Sequence, residues 1–404
     1  MPIPFSPPRI DEENIAAVNE VLRSGWITTG PRTKEFERQI SDYCGVQHTI
    51  CLNSATAGLE LALRWFGVQE GDEVILPAYT YCASANVIAH CGAKPVMVDI
   101  NDDFTIDPEK IRAAITPKTK AIIPVDIAGL PCHYDEIMQL AQDESCRKLF
   151  TPQTENQQKL GRVLVLSDAA HSFGAQYKNR RTGSLADITV FSFHAVKNLT
   201  TAEGGAVCLH LPDTFDEDEI YHYLCRISLH GQSKDALSKT FGNWRYDVYE
   251  AGYKCNMTDI QAAIGLVELN RYAENLQRRR AIFQRYSEAL SKYSTFQLPE
   301  YEMNERISSY HIFPLRIHDC TEEERNRIME EIFQHGVSVN VHFIPLPMLT
   351  FYKNSGYSIE NYPKTYDNYS REISLPVYFT LTNDQVETVI EMVIQATNKV
   401  ITKL

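Results

Sequence analysis

The stretch HTICLNSATAGLELALRWFGVQEGDEVILPAYTYCASANVIAHCGAKPVMVDI, residues 48–100, alternates short apolar runs with segments of helical length. The runs HTICL, EVILP and KPVMVDI have the length of strands, and TAGLELALRWFG and TYCASANVIAHCG lie between them. Apolar strands that alternate with helices are typical of a parallel sheet covered on both faces. This stretch therefore predicts an α/β layer structure.

The same alternation continues to about residue 210 through PEKIRAAI, KAIIPV and YDEIMQLAQ. Three further strand candidates, RVLVLSD, DITVFSF and GGAVCLH, follow one another with short links instead of full helices, so we expect part of the sheet to be mixed. The polar segment at about 142–160 is longer than the usual connection in such folds. We interpret it as a surface insertion.

Beyond the sheet, Thr258 and Gln261 form a T-x-x-Q capping box, and a helical pattern runs from there to about Tyr293. A helix of that length can connect two domains. The strand HIFPLRI, a helix opened by Thr321, the strand VSVNVHF (337–343) and a helix opened by Thr382 then predict a small α+β unit.

The chain has 404 residues, more than one hydrophobic core normally supports. We predict a large cofactor-binding α/β domain with an N-terminal arm, residues 1–275, and a small C-terminal α+β domain, residues 276–404.

Charge and composition exclude several classes of protein. The net charge of -13 disfavours nucleic acid and acidic membrane surfaces as partners. The ten cysteines contain no CxxC pair, which favours free thiols over disulfides or a metal site. The N-terminus lacks the pattern of a signal peptide, and no apolar run reaches about 20 residues. We expect a cytoplasmic protein that binds no metal and no membrane.

Ligands of open α/β sheets bind beyond the carboxyl ends of the strands, and polar residues occupy four such places here. Asn53-Ser54-Ala55-Thr56 opens a helix, where free N–H groups and the helix dipole suit a phosphate, although a plain helix cap has the same pattern. Asp168 follows the apolar run VLVL and either caps the next segment or faces a charged ligand.

The third place is Lys197 in SFHAVKNLTTAEGG, residues 192–205. An amine in a partly dry crevice loses proton affinity and becomes a nucleophile toward an aldehyde. The alternative is a solvated surface lysine, but the small and hydroxyl residues around it are more typical of a loop that lines a ligand. The fourth place, Tyr79-Thr80-Tyr81, offers an aromatic face.

An anion site, a carboxylate and a lysine thus follow successive strands of one sheet. Pyridoxal phosphate needs these three groups: a site for its phosphate, a carboxylate for its ring nitrogen and a lysine for its aldehyde. The order of the three groups therefore indicates an enzyme that depends on this cofactor.

Segments along nearly the whole chain resemble the DegT/DnrJ/EryC1/StrS sugar aminotransferases, which belong to the fold-type I, aspartate aminotransferase-like enzymes. The specific matches are SFHAVKNLTTAEGG (192–205) and GYKCNMTDIQAAIGLVEL (252–269). The supporting matches are GWITTGPRTKEFE, NSATAGLELAL, GDEVILPAYTYCASANVI, SDAAHSFGA and VHFIPL, in family order. The resemblance implies a mainly parallel, mixed seven-stranded sheet, pyridoxal 5'-phosphate as cofactor, and a homodimer with shared active sites.

The resemblance also implies roles for individual residues. Lys197 would carry the cofactor as a Schiff base and move the proton between substrate and cofactor, Asp168 would pair with the pyridine nitrogen, and His171 would lie near the ring oxygen. The remaining cofactor contacts would be Ser54, Ala55, Thr56 and Ser192 to the phosphate, and Tyr81 stacked on the ring.

Three further assignments concern the neighbouring subunit and the sugar. Asn256 would reach the phosphate of the neighbouring subunit, although GYKCNM replaces the GYNYRM of many members and moves the asparagine by two positions. Thr29 and His342 align with segments that border the sugar site.

The resemblance implies transfer of an amino group from L-glutamate to a nucleotide-linked keto-sugar, with C4 of a UDP-4-keto-6-deoxy-hexose as the expected acceptor. Surface polysaccharide or deoxyaminosugar biosynthesis is the expected setting. One alternative is a pyridoxal-phosphate-dependent sugar dehydratase of the same fold, which carries His in place of the lysine. A nicotinamide-dependent oxidoreductase is disfavoured because no GxGxxG follows a strand. A non-enzymatic sensor is disfavoured because the chain is acidic and has no added DNA-binding segment.

Overall fold

The computed structural model describes residues 2–233 and 244–401. Within them, the larger strands are β1 (Thr49–Leu52), β2 (Glu73–Pro77), β3 (Lys94–Val98), β4 (Thr119–Ile122), β5 (Leu164–Asp168), β8 (Ile188–Ser192), β9 (Gly205–Leu209), β12 (Phe313–Ile317) and β13 (Glu372–Leu375). The strands of two residues are β6 (Gln176–Tyr177), β7 (Arg180–Arg181), β10 (Phe296–Gln297) and β11 (Arg306–Ile307).

The helices of the first 230 residues are α1 (Glu12–Ser24), α2 (Pro31–Cys44), α3 (Ala55–Phe66), α4 (Cys82–His90), α5 (Pro108–Ala114), α6 (Tyr134–Gln142), α7 (Glu144–Leu149), α8 (Glu155–Leu160) and α9 (Glu217–Ile227). Those that follow are α10 (Asp259–Asn270), α11 (Tyr272–Leu290), α12 (Glu322–Gln334), α13 (Thr350–Asn354), α14 (Pro363–Arg371) and α15 (Asn383–Ile401). No helix among the described residues is long and apolar enough to cross a bilayer.

The main sheet has seven strands in the order β1-β9-β8-β5-β4-β2-β3. The pairs β8/β5, β5/β4, β4/β2 and β2/β3 are parallel. Strand β9 runs antiparallel to both of its neighbours, β1 and β8. These observations confirm the predicted α/β class with a mainly parallel, mixed seven-stranded sheet.

Helix α3 packs closely on the sheet because Gly58 has no side chain. A Cβ atom at Gly58 would lie 2.8 Å from a methyl of Val207 and 2.9 Å from a methyl of Val190. Any larger residue at this position would push the helix away from β8 and β9. The glycine therefore helps to set where the N-terminus of α3 lies, at the carboxyl end of β1.

A second hydrophobic core lies in the C-terminal part of the chain. The strands β10, β12 and β13 form an antiparallel sheet, which packs with α11, α12 and α15. The helices predicted to open at Thr321 and Thr382 are both present, and each begins with a capping box. The predicted boundary between the two domains, at residue 275, lies inside α11 and stays a prediction. Residue 1 of the first predicted domain and residues 402–404 of the second lie outside the described part of the chain.

The predicted strand VSVNVHF (337–343) is wrong. Only single bridges occur there, from Val337 to Ile3 and from Asn340 to Ser374. The alternating pattern arises because Val337 and Val339 are buried in the second core, whereas His342 and Phe343 face a pocket.

The predicted continuous helix from Thr258 to Tyr293 is also wrong, because it breaks at Arg271. Arg271 has φ of -107° and ψ of 13° between α10 and α11. Its guanidinium group pairs with Asp11, at 2.6 Å, and with Glu268. These contacts tie the break to the residues that open α1, a long-range interaction that helical periodicity cannot reveal.

The segment at 142–160 is more than a surface insertion. It contains the short helices α7 and α8, and Cys146, Phe150 and Leu160 belong to the main hydrophobic core. The fully buried Gln157 donates to the carbonyl oxygens of Phe66 and Gly67 at the end of α3. The segment therefore packs against the C-terminal end of α3, and the N-terminal end of the same helix borders the pocket that His342 and Phe343 face.

A buried ion pair gives one prediction about stability. Arg162 donates two hydrogen bonds to the carboxylate of Asp187, at 2.7 and 2.8 Å, and the backbone N–H of Val165 donates to the same carboxylate at 2.9 Å. Asp187→Ala leaves the Arg162 charge buried without a partner. We expect a loss of about 3–5 kcal/mol in the free energy of unfolding, measured by urea denaturation.

The matched control is Asp135→Ala, which removes an exposed ion pair with Lys178 and should leave the free energy of unfolding close to that of the wild type. Equal losses in the two variants would contradict the importance of the buried pair.

Candidate active site

A cavity of about 480 Å³ opens at the carboxyl ends of β5 and β8 and at the N-terminus of α3. Nine of the residues predicted from the sequence line it: Ser54, Ala55, Thr56, Tyr81, Asp168, His171, Ser192, Lys197 and His342. Thr29 and Asn256 do not line it. The structure therefore brings together residues that lie up to 288 positions apart in the sequence, from Ser54 to His342.

The N-terminus of α3 forms one end of the cavity. The Oγ of Ser54 accepts a hydrogen bond from the N–H of Ala57, at 3.2 Å. Ala55 and Thr56 lie in the first turn of α3, where an N–H group has no carbonyl partner within the helix. Neither N–H group has a hydrogen-bond acceptor among the described residues. A Cβ atom at Gly205 would lie 2.5 Å from the N of Ala55, so glycine permits β9 to approach this turn. Free N–H groups and the helix dipole suit a phosphate here.

Asp168 lies at the end of β5 and is 6% exposed. Its carboxylate accepts hydrogen bonds from the hydroxyl of Ser84, at 2.7 Å, and from the N–H of Ala170, at 3.2 Å. Burial raises the pKa of the Asp168 carboxyl, while Ser84, Ala170 and Lys197 oppose that shift. The carboxylate is held rigidly in the cavity wall, where it would pair with a cationic ring nitrogen.

Ser84 was not singled out in the sequence, because it lies in the first turn of α4 and its contact with Asp168 joins residues 84 positions apart. We expect Ser84→Ala to lower turnover by about 10-fold, since it removes one hydrogen bond to a charged group. Steady-state kinetics of Ser84→Ala and Ser84→Thr would test this. Equal loss in both variants would contradict the hydrogen-bonding role, because Thr keeps the hydroxyl.

Lys197 lies in the loop after β8, where its backbone N–H donates to the carbonyl oxygen of His194 at 2.9 Å. Its Nζ has no hydrogen-bond or ion-pair partner among the described residues. Burial lowers the pKa of Lys197 to about 8, and the carboxylate of Asp168 partly opposes that shift. A much larger fraction of this amine is neutral near pH 7 than for an ordinary lysine, and only the neutral amine is a nucleophile.

The shifted pKa predicts how the apoprotein captures pyridoxal phosphate. The rate should rise with pH as the amine loses its proton, with a midpoint near 8, measured by stopped-flow absorbance. Asp168→Asn removes the charge that opposes the shift, so its midpoint should be lower. A midpoint near the ordinary lysine value of 10.5 would contradict the buried environment of this amine.

His171 is a neutral hydrogen-bond donor to the cavity. Its Nδ1 accepts the N–H of Ala128, at 3.2 Å. Burial and the nearby Lys197 hold the pKa of His171 well below its usual range. Because the neutral ring carries one proton and Nδ1 is an acceptor, the proton lies on Nε2.

His311 lines the same cavity, and its ring centre is 4.4 Å from that of His171. Its Nδ1 lies 2.8 Å from the side-chain oxygen of Asn198, whose amide group donates to the carbonyl of Ser309. That oxygen can only accept, so Nδ1 of His311 carries the proton. Sequence reasoning missed His311, because it was interpreted only as the first residue of the predicted strand HIFPLRI.

The N-terminal arm also reaches the cavity. The ring of Phe5 stacks on the ring of His342 with centres 5.3 Å apart, and the hydroxyl of Ser6 donates to the carbonyl of Val196 at 3.1 Å. Tyr81 lies on the wall, 58% exposed, with its ring centre 5.6 Å from that of Phe343. The arm was predicted, but its contact with the cavity was not.

Thr29 and Asn256 lie together outside the cavity. The amide of Asn256 donates to the hydroxyl of Thr29 at 2.6 Å, and that hydroxyl donates to the carbonyl of Met257. Lys254 also donates to the side-chain oxygen of Asn256. The predicted roles of Thr29 and Asn256 stay predictions, since each concerns a substrate or a second subunit.

The cavity fits pyridoxal phosphate on three counts: unpaired N–H groups at a helix start, a buried carboxylate fixed by two donors, and an amine of lowered pKa. The described residues include no group of three or more His, Cys, Asp or Glu arranged to hold a metal ion. The fold and the cavity define an aminotransferase-like enzyme of fold type I.

Comparison with known proteins supports the same class. The DegT/DnrJ/EryC1/StrS aminotransferase family matches residues 8–150 and 153–394, and the chain belongs to this family. A Streptococcus pneumoniae protein described as a sugar aminotransferase, solved in its PMP form, is 48% identical with a TM-score of 0.96 over 99% of this chain and 100% of that chain. Its PLP form is also similar, at 46% identity and a TM-score of 0.95.

Two further proteins extend the comparison. The Bacillus subtilis spore coat polysaccharide biosynthesis protein SpsC is 37% identical over 399 residues, 97% of this chain and 96% of that protein. Helicobacter pylori PseC, an aminotransferase involved in the biosynthesis of pseudoaminic acid, is 28% identical with a TM-score of 0.87, over 99% of this chain and 100% of that chain.

The family and these structures confirm three predictions made from the sequence: the fold type, an aminotransferase activity, and pyridoxal phosphate as the cofactor. They also support a sugar as the substrate. The predictions of the particular sugar, the amino donor and the roles of individual residues stay predictions.

Proposed function

We propose that this enzyme transfers the amino group of L-glutamate to a nucleotide-linked keto-sugar, with C4 of a UDP-4-keto-6-deoxy-hexose as the acceptor carbon. The arrangement of Lys197 and Asp168 beside the N-terminus of α3 in one cavity carries this proposal. The description of similar proteins as sugar aminotransferases and as a polysaccharide biosynthesis protein supports a sugar acceptor and a role in surface polysaccharide or deoxyaminosugar biosynthesis.

When bound, pyridoxal phosphate supplies an aldehyde for the amino group and a ring that stores the electrons of the reacting carbon. Lys197 holds the aldehyde and then serves as the base and acid that moves a proton at the substrate carbon. Its lowered pKa suits that task, because an amine that titrates near 8 can both lose and regain a proton near neutral pH.

The other residues bind and orient the cofactor. The N–H groups of Ala55 and Thr56, with the hydroxyls of Ser54, Thr56 and Ser192, hold the phosphate. Asp168 keeps the ring nitrogen protonated. The Nε2–H of His171 donates to the ring oxygen, and Tyr81 covers a face of the ring.

The sugar and the second subunit complete the proposal. His342 lines the same cavity as Lys197, and we assign it to the sugar. The enzyme is a homodimer in which Asn256, next to Thr29, reaches the phosphate in the neighbouring subunit. The cytoplasm is the proposed location.

The sugar dehydratase of the same fold is the alternative, and one residue weighs against it. Position 197 holds a lysine with a desolvated amine, where such dehydratases carry histidine. A lysine amine at this place would hold the cofactor's aldehyde and displace the amino product from it, which a histidine side chain cannot do.

A substrate panel tests the proposed function. The holoenzyme is incubated with L-glutamate and nucleotide-linked 4-keto and 3-keto sugars, each carried by UDP, GDP or dTDP. Mass spectrometry and NMR of the products locate any new amine. We expect amination at C4 of a UDP-sugar with release of 2-oxoglutarate. Loss of water from the sugar without amination would favour the dehydratase, and amination at another carbon would overturn the C4 assignment.

A further inference from the structure

A chain of hydrogen bonds leads from His342 into the protein interior. The Nδ1 of His342 lies 2.9 Å from the hydroxyl oxygen of Ser374, which lies 2.5 Å from Oε1 of Glu372. The other carboxyl oxygen, Oε2, accepts the backbone N–H of His342 at 3.2 Å. Both Glu372 and Ser374, on β13, are 0% exposed. The carboxyl group is therefore joined to His342 once directly and once through Ser374, and it does not line the cavity.

The donors and acceptors of this chain allow two consistent arrangements. With an ionised carboxyl group, the Ser374 hydroxyl must donate to Glu372, so Nδ1 of His342 donates to Ser374 and Nε2 is a bare acceptor. With a neutral carboxyl group, Glu372 can donate to Ser374, whose hydroxyl then donates to Nδ1, and the ring proton lies on Nε2. Loss of one proton from Glu372 thus reverses the direction of both hydrogen bonds in the chain, the one between Glu372 and Ser374 and the one between Ser374 and His342.

The surroundings keep His342 neutral in both arrangements. Burial and the amine of Lys197 lower the pKa of His342 to about 3. His171 and His311 also face it across the cavity, and both are neutral because burial holds each pKa well below the usual range. Only the position of the single ring proton is free to change.

The carboxyl group of Glu372 titrates in a range where this matters. Burial raises its pKa to about 8, while Arg325 of α12, Arg316 of β12 and the N–H of His342 oppose the shift. Tyr79 also faces Glu372, and its own pKa is well above the usual range. Below about pH 8 the carboxyl is therefore mainly neutral, and above it mainly ionised.

We propose that Glu372, acting through the Ser374 hydroxyl, sets which ring nitrogen of His342 carries the proton and thereby whether His342 offers the substrate a donor or an acceptor. Glu372 and Ser374 are positioning residues, since neither lines the cavity. The consequence for sugar binding rests on the proposed function, whereas the control of the His342 tautomer by Glu372 rests only on the hydrogen-bond chain.

The first test uses Glu372→Gln in the holoenzyme labelled with ¹⁵N-histidine. The N–H of His342 needs an acceptor, so the amide oxygen takes the place of Oε2 and the NH₂ group faces Ser374. The variant therefore mimics the neutral carboxyl and keeps the ring proton on Nε2. The ¹⁵N signals of His342, assigned by comparison with His342→Gln, show which nitrogen is protonated.

We expect the wild-type ring proton to move from Nε2 to Nδ1 as pH rises through about 8, and Glu372→Gln to show Nε2–H throughout. Ser374→Ala should lose this transition, and Ser374→Thr should restore it. A wild-type tautomer that does not change with pH, or one that changes identically in Glu372→Gln, would overturn the proposal. If Glu372→Gln does not fold, the Ala and Thr variants at position 374 decide the question.

Kinetics separate this proposal from the proposed function. In the same samples, absorbance follows the reaction with glutamate, and KM for the keto-sugar is measured against pH. We expect the pH dependence of KM near 8 to be smaller in Glu372→Gln and in Ser374→Ala than in the wild type, and equal in the two variants, because only the contribution of Lys197 then remains. Absence of any reaction with glutamate in the wild type would contradict the proposed function, yet the tautomer result would still decide the role of Glu372.

Discussion

Lys197→Arg is expected to abolish amino transfer, with a loss of at least about 10⁴-fold in both half-reactions. The amine of Lys197 has no hydrogen-bond or ion-pair partner among the described residues, and its pKa is lowered to about 8, so it is available as a nucleophile and a proton carrier. A guanidinium group keeps the positive charge but cannot lose its proton near neutral pH. Single-turnover absorbance with glutamate, and then with the keto-sugar, measures both losses.

The control is Lys148→Arg on the exposed face of α7, which should leave both rates within about two-fold of wild type. Cofactor binding, measured by fluorescence quenching, should persist in Lys197→Arg because the phosphate and ring contacts remain. A Lys197→Arg enzyme that still turns over both substrates would remove this lysine from the chemistry.

Asp168→Asn is expected to lower turnover by about 10²–10³-fold, the scale of one preorganised electrostatic contact. The carboxylate is 6% exposed and is fixed by Ser84 and Ala170, so it would stabilise a protonated ring nitrogen at close range. The amide has nearly the same shape but no charge. The absorbance spectrum and single-turnover rates of the holoenzyme measure the effect.

Two controls accompany Asp168→Asn. The exposed Asp213→Asn should behave as wild type. A cofactor analogue that lacks the ring nitrogen should react equally poorly with wild type and with Asp168→Asn, because the contact is then missing from both. A large difference between the two enzymes with that analogue would show that Asp168 acts elsewhere.

The fold of the large sheet could be predicted from local pattern. Strands β2, β5 and β8 are each five residues long and consist mainly of apolar residues, and helices or short links separate the strands of this sheet. The mixed character followed from the short links around β9. The number of strands came only through the family resemblance, and their order was not predicted, since periodicity does not specify which strands are neighbours.

The errors in the C-terminal half have a common physical cause. The run VSVNVHF alternates like a strand, but its valines pack on the second core while His342 and Phe343 line the cavity. The predicted long helix breaks at Arg271, whose side chain pairs with Asp11 in the distant N-terminal arm. Tertiary contacts decided both cases, and neither is encoded in a local window.

The residues of the candidate site also fall into those that local sequence pattern revealed and those that long-range contacts place. Residues at strand ends, Asp168 and Lys197, were found because a topological rule places them at the ligand edge. Ser84, His311 and Phe5 were missed because long-range contacts decide their places. Ser84 reaches Asp168 from the first turn of α4, while His311 and Phe5 line the cavity from the C-terminal part of the chain and from the N-terminal arm. Glu372 was missed for a further reason: it acts on the cavity through Ser374 and does not line it.

Reduction of the holoenzyme with sodium borohydride, followed by digestion and peptide mass spectrometry, tests the assignment of Lys197 most directly. The imine to the cofactor becomes a stable amine, so the tag marks the residue that carries it. We predict a single tagged site, Lys197, and loss of the yellow colour. A tag on any other lysine, or no tag in an enzyme that contains bound cofactor, would contradict the account of this active site.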